Sequence, residues 1–94
     1  MRISWAELAI SHLQAAYEYV AADNPRAAER TVERILSAVE FLERHPNLGR
    51  PGRVEGTREL VVPGTPFVVA YRQLQGEIEI LAILHAARKW PDRF

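Results

Sequence analysis

FVVAYRQLQGEIEILAIL, residues 67–84, is the stretch on which the fold turns. In FVVAYR, Phe67, Val69 and Tyr71 fall on one face of an extended chain, because side chains alternate with period two. In EIEILAIL, Glu77, Ile78, Glu79 and Ile80 also alternate, so one face begins wet. The unbroken apolar run from Ile80 to Leu84 then requires cover on both faces. Gln75-Gly76 between the two segments is a turn signal. Just upstream, RELVV (58–62) is a third strand, separated from Phe67 by the turn PGTP. Connections this short join antiparallel neighbours, so the three strands form a meander.

Working outward toward the amino terminus, the segment HPNLGRPGRVEGT (45–57) is a Pro- and Gly-rich connection, long for so small a chain. Before it the period changes to 3.6. Ala28, Val32, Ile35, Val39 and Leu42 step by three and four, with Leu36 beside them, which predicts a helix with one buried stripe. Arg26, Glu29, Arg30, Glu33, Arg34, Glu40 and Arg44 occupy its other face, with Glu40 and Arg44 in the favourable acid-first order. Asn24 is placed to cap this helix, and Pro25 takes the first helical position, where its missing N–H costs nothing. The helix ends near His45, because the residue before a proline is pushed out of helical geometry. A first helix is predicted from about Ala6 to Ala22, with Ile10, Leu13, Tyr17 and Val20 as its buried stripe. RISW (2–5) precedes it as a short strand with Ile3 and Trp5 on one face. The expectation is a single α+β domain over residues 1–94, ordered β-α-α-β-β-β. It is a small, mostly antiparallel four-stranded sheet with the helical hairpin packed on one face.

Composition narrows the function. With 48% apolar and 26% charged residues the chain is globular material, and at this length it buries about 60–65% of its unfolded surface. Lys+Arg and Asp+Glu both total 12, a net charge of zero. Broad nucleic-acid affinity needs a cationic surplus, because phosphate neutralisation drives it. No sequence-specific DNA binding is therefore expected. There is no cysteine, and the three histidines are widely spaced, so no metal or other cofactor is expected. The longest strongly apolar run, Ile80 to Leu84, cannot span a bilayer. Trp5-Ala-Glu-Leu interrupts any secretory signal, and a cysteine-free chain suits a reducing cytosol, so a cytoplasmic location is expected.

The carboxyl-terminal end carries unusual chemistry. ILHAARKWP (83–91) ends an apolar strand in a histidine, two cations, a tryptophan and a proline. Pro91 forbids a continuing helix or central strand. Arg88, Lys89 and Arg93 interleave with Trp90 and Phe94, and Trp and Arg are favoured interface anchors. These five are the candidate partner-binding residues, although Trp90 could equally fold back and close the core.

DNPRAAERTVERI, HPNLGRPG, TRELVV, FVVAYR and ILHAARKWP, in this order, span nearly the whole chain, and together they resemble the RelE/ParE family of bacterial type II toxins. The resemblance implies a toxin held inactive by a smaller cognate antitoxin in a hetero-oligomer. That antitoxin would add a strand to an exposed sheet edge or lay a helix in an apolar groove. It implies one of two mechanisms: ParE-like members inhibit DNA gyrase without recognised catalytic residues, and RelE-like members cleave mRNA on the ribosome. Cleavage through a 2′-hydroxyl needs a base, phosphate-holding cations and an acid. Glu55 or Glu59, then Arg58 and Arg72, then His85 are the candidates. Each has a plain alternative. Arg58 could cover a core edge with its stem, Arg72 could pair with Glu77 across the hairpin, and His85 could be a hydrogen-bonded strand end. RelE-like relatives are strongly basic and often end in a phenol or a His-Tyr pair, whereas this chain is neutral and His85 is followed by Ala86 and Ala87. The resemblance therefore falls nearer the ParE branch. A ribosome-dependent mRNA interferase is the alternative, and a degenerate antitoxin-binding module is a third.

Overall fold

A computed structural model describes the chain except for Lys89 and Asp92. Its elements are β1 (Arg2–Trp5), α1 (Glu7–Ala21), α2 (Pro25–Phe41), β2 (Arg50–Pro51), β3 (Arg58–Val61), β4 (Phe67–Leu74) and β5 (Glu77–His85). The strands form one sheet in the order β1-β5-β4-β3-β2, with the helical hairpin on one face. β1 runs parallel to β5, Arg2 opposite Glu77 through Trp5 opposite Ile80. The remaining pairings are antiparallel.

The expected α+β class, meander and helix pair are all present. The sheet nevertheless has five strands rather than four. β2 is two residues long and contains Pro51, and a strand that short leaves no alternation to read. The β4–β5 turn is a two-residue loop with positive φ at both Gln75 (37°) and Gly76 (80°). That handedness matches the twist of the flanking strands. The tight loop places Leu74 opposite Glu77 and Arg72 opposite Glu79. Arg72 therefore pairs with Glu79, at 2.7 Å, and not with Glu77.

Tyr71, Ile35, Leu42, Ile78 and Ile80 are among the largest fully buried side chains. Ile3, Trp5, Leu13, Val20 and Leu60 are partly buried around them. Asn24 caps α2 by accepting a hydrogen bond from the Ala27 N–H at 3.1 Å, with Pro25 at the first position. The α2 stripe is as expected at Ala28, Ile35, Val39 and Leu42, with Leu36 exposed beside it. The α1 stripe is rotated: Ala9 and Ala16 are buried, whereas Ile10 and Tyr17 are exposed. This face of α1 meets β5, where the Ile83 N–H donates to His12 Nδ1 and Ala16 lies beside the strand, so small side chains occupy the contact and larger ones flank it. On the opposite face of the sheet, a smaller cluster of Ala70, Ala82 and Leu84 is covered by Trp90. Among the described residues, no helix is long and apolar enough to cross a membrane.

Candidate partner-binding surfaces

The long connection after α2 is ordered by polar groups reaching into it from the sheet. The Tyr71 hydroxyl donates to the Pro46 carbonyl at 2.8 Å and accepts from the Gly49 N–H at 2.9 Å. Burial raises the Tyr71 pKa above its ordinary value, opposed by the Gly49 hydrogen bond and the nearby Arg58 charge. A Cβ at Gly49 would lie 2.7 Å from Tyr71 Cε1 and Oη and 3.0 Å from the Glu59 carbonyl oxygen, so only glycine fits. The Arg58 guanidinium closes the same loop by donating to the Gly49 carbonyl at 2.7 Å. Arg58 thus engages loop backbone through Nη1.

A second lattice joins the loop to the carboxyl-terminal tail. Glu59 is only 5% exposed. One carboxylate oxygen accepts from Arg50 Nε and Nη2 at 3.3 and 3.2 Å, and the other from the Arg53 N–H at 2.7 Å. The Arg53 guanidinium lies 3.9 Å above the Trp90 ring, and the indole N–H donates to the His85 carbonyl at 3.1 Å. Trp90 is therefore half-buried and tied down on both faces. Glu59, considered as a base, is instead the buried anchor of a cationic loop, since a carboxylate that far from water needs such donors.

The candidate nuclease groups do not converge. Arg58 lies opposite Tyr71, so it projects to the helix side, and Arg72, the next residue along β4, projects to the other side. His85 lies opposite Phe67, five residues along β4 from Arg72, or about 17 Å at ~3.4 Å per residue. It packs edge-on against Phe67 (5.6 Å between centroids) and Tyr19 (6.3 Å). Its Nδ1 accepts from the Ala87 N–H at 3.1 Å. Glu55 and Arg72 do share a groove of about 500 Å³ with Arg93, Phe94 and Glu79. Arg88 is elsewhere, 4.8 Å over the Tyr19 ring. The partner-binding candidates are thus split between two places, and Lys89 lies outside the described residues.

The largest feature was not singled out from sequence. An open groove of about 780 Å³ runs between α2 and the β2–β3 edge. Ala38, Phe41, Leu48, Leu60, Val61 and Pro63 form its apolar lining, with Arg34, Arg50, Glu33 and Glu59 around them. Phe41, Leu48 and Val61 are 59%, 53% and 49% exposed. β2 pairs only with Arg58 and Glu59, so among the described residues the Leu60–Val61 stretch has no strand partner on the side away from β4. An apolar trough beside an open strand edge can take a helix and a strand from one extended polypeptide. The signal for it was Phe41 and Leu48, large apolar residues that belong to neither helical stripe.

The family model for the ParE toxin of the type II toxin–antitoxin system parDE matches residues 3–90. The protein Y4kP of Sinorhizobium fredii is 42% identical over 91 residues, covering 97% of this chain and 94% of its own. Toxin RelE2 of Caulobacter vibrioides is 32% identical over 87 residues, covering 93% and 97%. A solved structure described as the chromosomal ParDE TA system from P. aeruginosa superposes with a TM-score of 0.81 at 33% identity, over 90% of this chain and 95% of that one. A YoeB/ParE toxin from Agrobacterium tumefaciens, 20% identical with a TM-score of 0.60, shares the fold over 90% and 98%.

Proposed function

This chain belongs to the ParE toxin family of type II toxin–antitoxin systems, and from that premise we propose that it poisons by binding, with DNA gyrase as its target and a cognate antitoxin as its restraint. The observation that carries this reading is the dispersal of the nuclease candidates. Arg58 is spent on the Gly49 carbonyl, Glu59 on Arg50 and Arg53, and His85 stands about 17 Å along β4 from Arg72. An acid, a base and a phosphate clamp must meet within hydrogen-bond reach of one reacting group. Tautomer chemistry supports the same conclusion. With Nδ1 accepting from the Ala87 N–H, the His85 ring carries its proton on Nε2.

Antitoxin docking is assigned to the groove between α2 and the β2–β3 edge. A segment with one amphipathic helix and one extended stretch would cover Phe41, Leu48 and Val61 and pair with Leu60–Val61. Inhibition of gyrase places the toxin's action in the cytoplasm. Induced expression should produce filamentation and a DNA-damage response with full-length transcripts, and purified chain should inhibit gyrase supercoiling. Rapid translation arrest with transcripts cut at codons would overturn the assignment in favour of an mRNA interferase.

A further inference from the structure

A cavity of about 200 Å³ lies where β5 runs beyond the end of β1. α1 forms one wall and the start of the carboxyl-terminal tail the other. Past Ile80, β5 has no β1 residue beside it, and the Ile83 N–H donates instead to His12 Nδ1 at 3.2 Å. Burial lowers the His12 pKa below its ordinary value, which favours the neutral ring that this contact requires. His85 is held in the same way, by the Ala87 N–H at its Nδ1. Two imidazoles lining one cavity thus have the same nitrogen occupied by a backbone donor, which leaves each with Nε2–H to offer.

Tyr19, Arg88 and Trp90 complete the polar lining, the Trp90 N–H being engaged at the His85 carbonyl. The guanidinium lies 4.8 Å over the Tyr19 ring, and that ring lies 6.3 Å from His85. Every side-chain polar group in this lining can donate, and no carboxylate lines the cavity among the described residues. In a chain of zero net charge such a concentration of donors is local and unbalanced. Two imidazoles held by backbone donors, beside one cation, suit an oxyanion. The volume is below the ~300 Å³ at which drug-sized pockets begin, so it takes one phosphoryl group with little else.

We infer that this cavity, walled by His12, Tyr19, His85 and Arg88, binds the terminal phosphate of a small ligand or of a nucleic-acid end. The inference is independent of gyrase inhibition, because its readout is direct binding. ¹H–¹⁵N spectra of the full chain, titrated with inorganic phosphate at constant ionic strength, should show saturable shifts at four places. These are the Nε2 of His12 and of His85 and the amides of Ile83 and Ala87, with half-saturation at about 1 mM. Arg88→Gln, at an exposed position, should keep its melting temperature and weaken phosphate about tenfold. Arg44→Gln, at the far end of the helical hairpin, should change neither. A short single-stranded oligonucleotide with a 5′-phosphate should compete with phosphate, and the same oligonucleotide without it should not. Shifts matched by chloride, an Arg88→Gln variant that binds like wild type, equal competition by both oligonucleotides, or no saturable shift would each overturn the assignment.

Discussion

Tyr71→Phe tests whether one hydroxyl fastens the long connection to the sheet. The ring is fully buried, so the substitution keeps the apolar packing and deletes only the oxygen. The Pro46 carbonyl keeps a second donor, Gln73 Nε2 at 3.1 Å, whereas the Gly49 N–H loses the acceptor it has at 2.9 Å inside the protein. An orphaned buried donor costs about 1–3 kcal/mol, and about 2 kcal/mol is expected here. For a domain of this size that corresponds to a fall of about 8–16 °C in melting temperature. Urea denaturation of wild type and variant, with linear extrapolation, reads the difference. Gly49→Ala drives a Cβ to 2.7 Å from the same ring and should destabilise at least as much. The double variant should fall short of the sum, because part of the clash is with the deleted oxygen. A loss below ~0.5 kcal/mol for Tyr71→Phe, the range of ordinary surface substitutions, would refute the reasoning. The loop would then be held by Arg58, Glu59 and Gln73 without help from the hydroxyl.

Two further outcomes follow from single contacts. Burial lowers the His12 pKa, so the unfolded chain binds that proton more readily than the folded one; stability should be full above pH 6.5 and decline as pH falls below it. His12→Gln should flatten that part of the profile, measured as the urea midpoint between pH 8 and 5. Phe41→Ala should change stability by under ~0.5 kcal/mol, because the ring is 59% exposed. The same variant should weaken the cognate antitoxin at least about tenfold in calorimetric titration, as loss of a groove anchor does.

The parts of the fold legible in sequence are those in which one period dominates. Residues 67–71 and 77–80 alternate, residues 28–42 repeat at helical spacing, and Asn24-Pro25 is a start signal with a mechanism; each is present in the structure. The α1 stripe is legible only in part: Leu13 and Val20 pack against the core, but residue size does not mark burial at Ile10 and Tyr17. Close packing placed Ala9 and Ala16 at the contact and left Ile10 and Tyr17 at its margin. β2 has too few residues to show any period. The candidate site was less legible still, because residue type says what a side chain can do and pairing decides where it does it. Trp90 shows the difference: it is an anchor by type, and here it is half-buried between Arg53 and the Ala70, Ala82 and Leu84 cluster.

The same pairing decides whether this scaffold can gather cations on one face. Arg58 and Arg72 are separated to opposite sides of the sheet by the register that sets Arg58 against Tyr71. A slip of one residue would turn Arg72 toward the helices and expel Tyr71 from the core, which period-two alternation makes prohibitive wherever one face is buried. The anchor that fastens the connection therefore also fixes the distribution of charge. Tyr71 is held at one end by burial and at the other by Pro46 and Gly49, and while it is held, Arg58 remains at the Gly49 carbonyl and Arg72 at Glu79. Bringing Arg58 and Arg72 to one face would require that register to change, whereas the proposed docking surface requires it to stay. The groove between α2 and the β2–β3 edge makes the same demand, since Leu60 and Val61 line it only in this alignment. The docking proposed for this groove therefore depends on the most deeply buried contacts of the sheet.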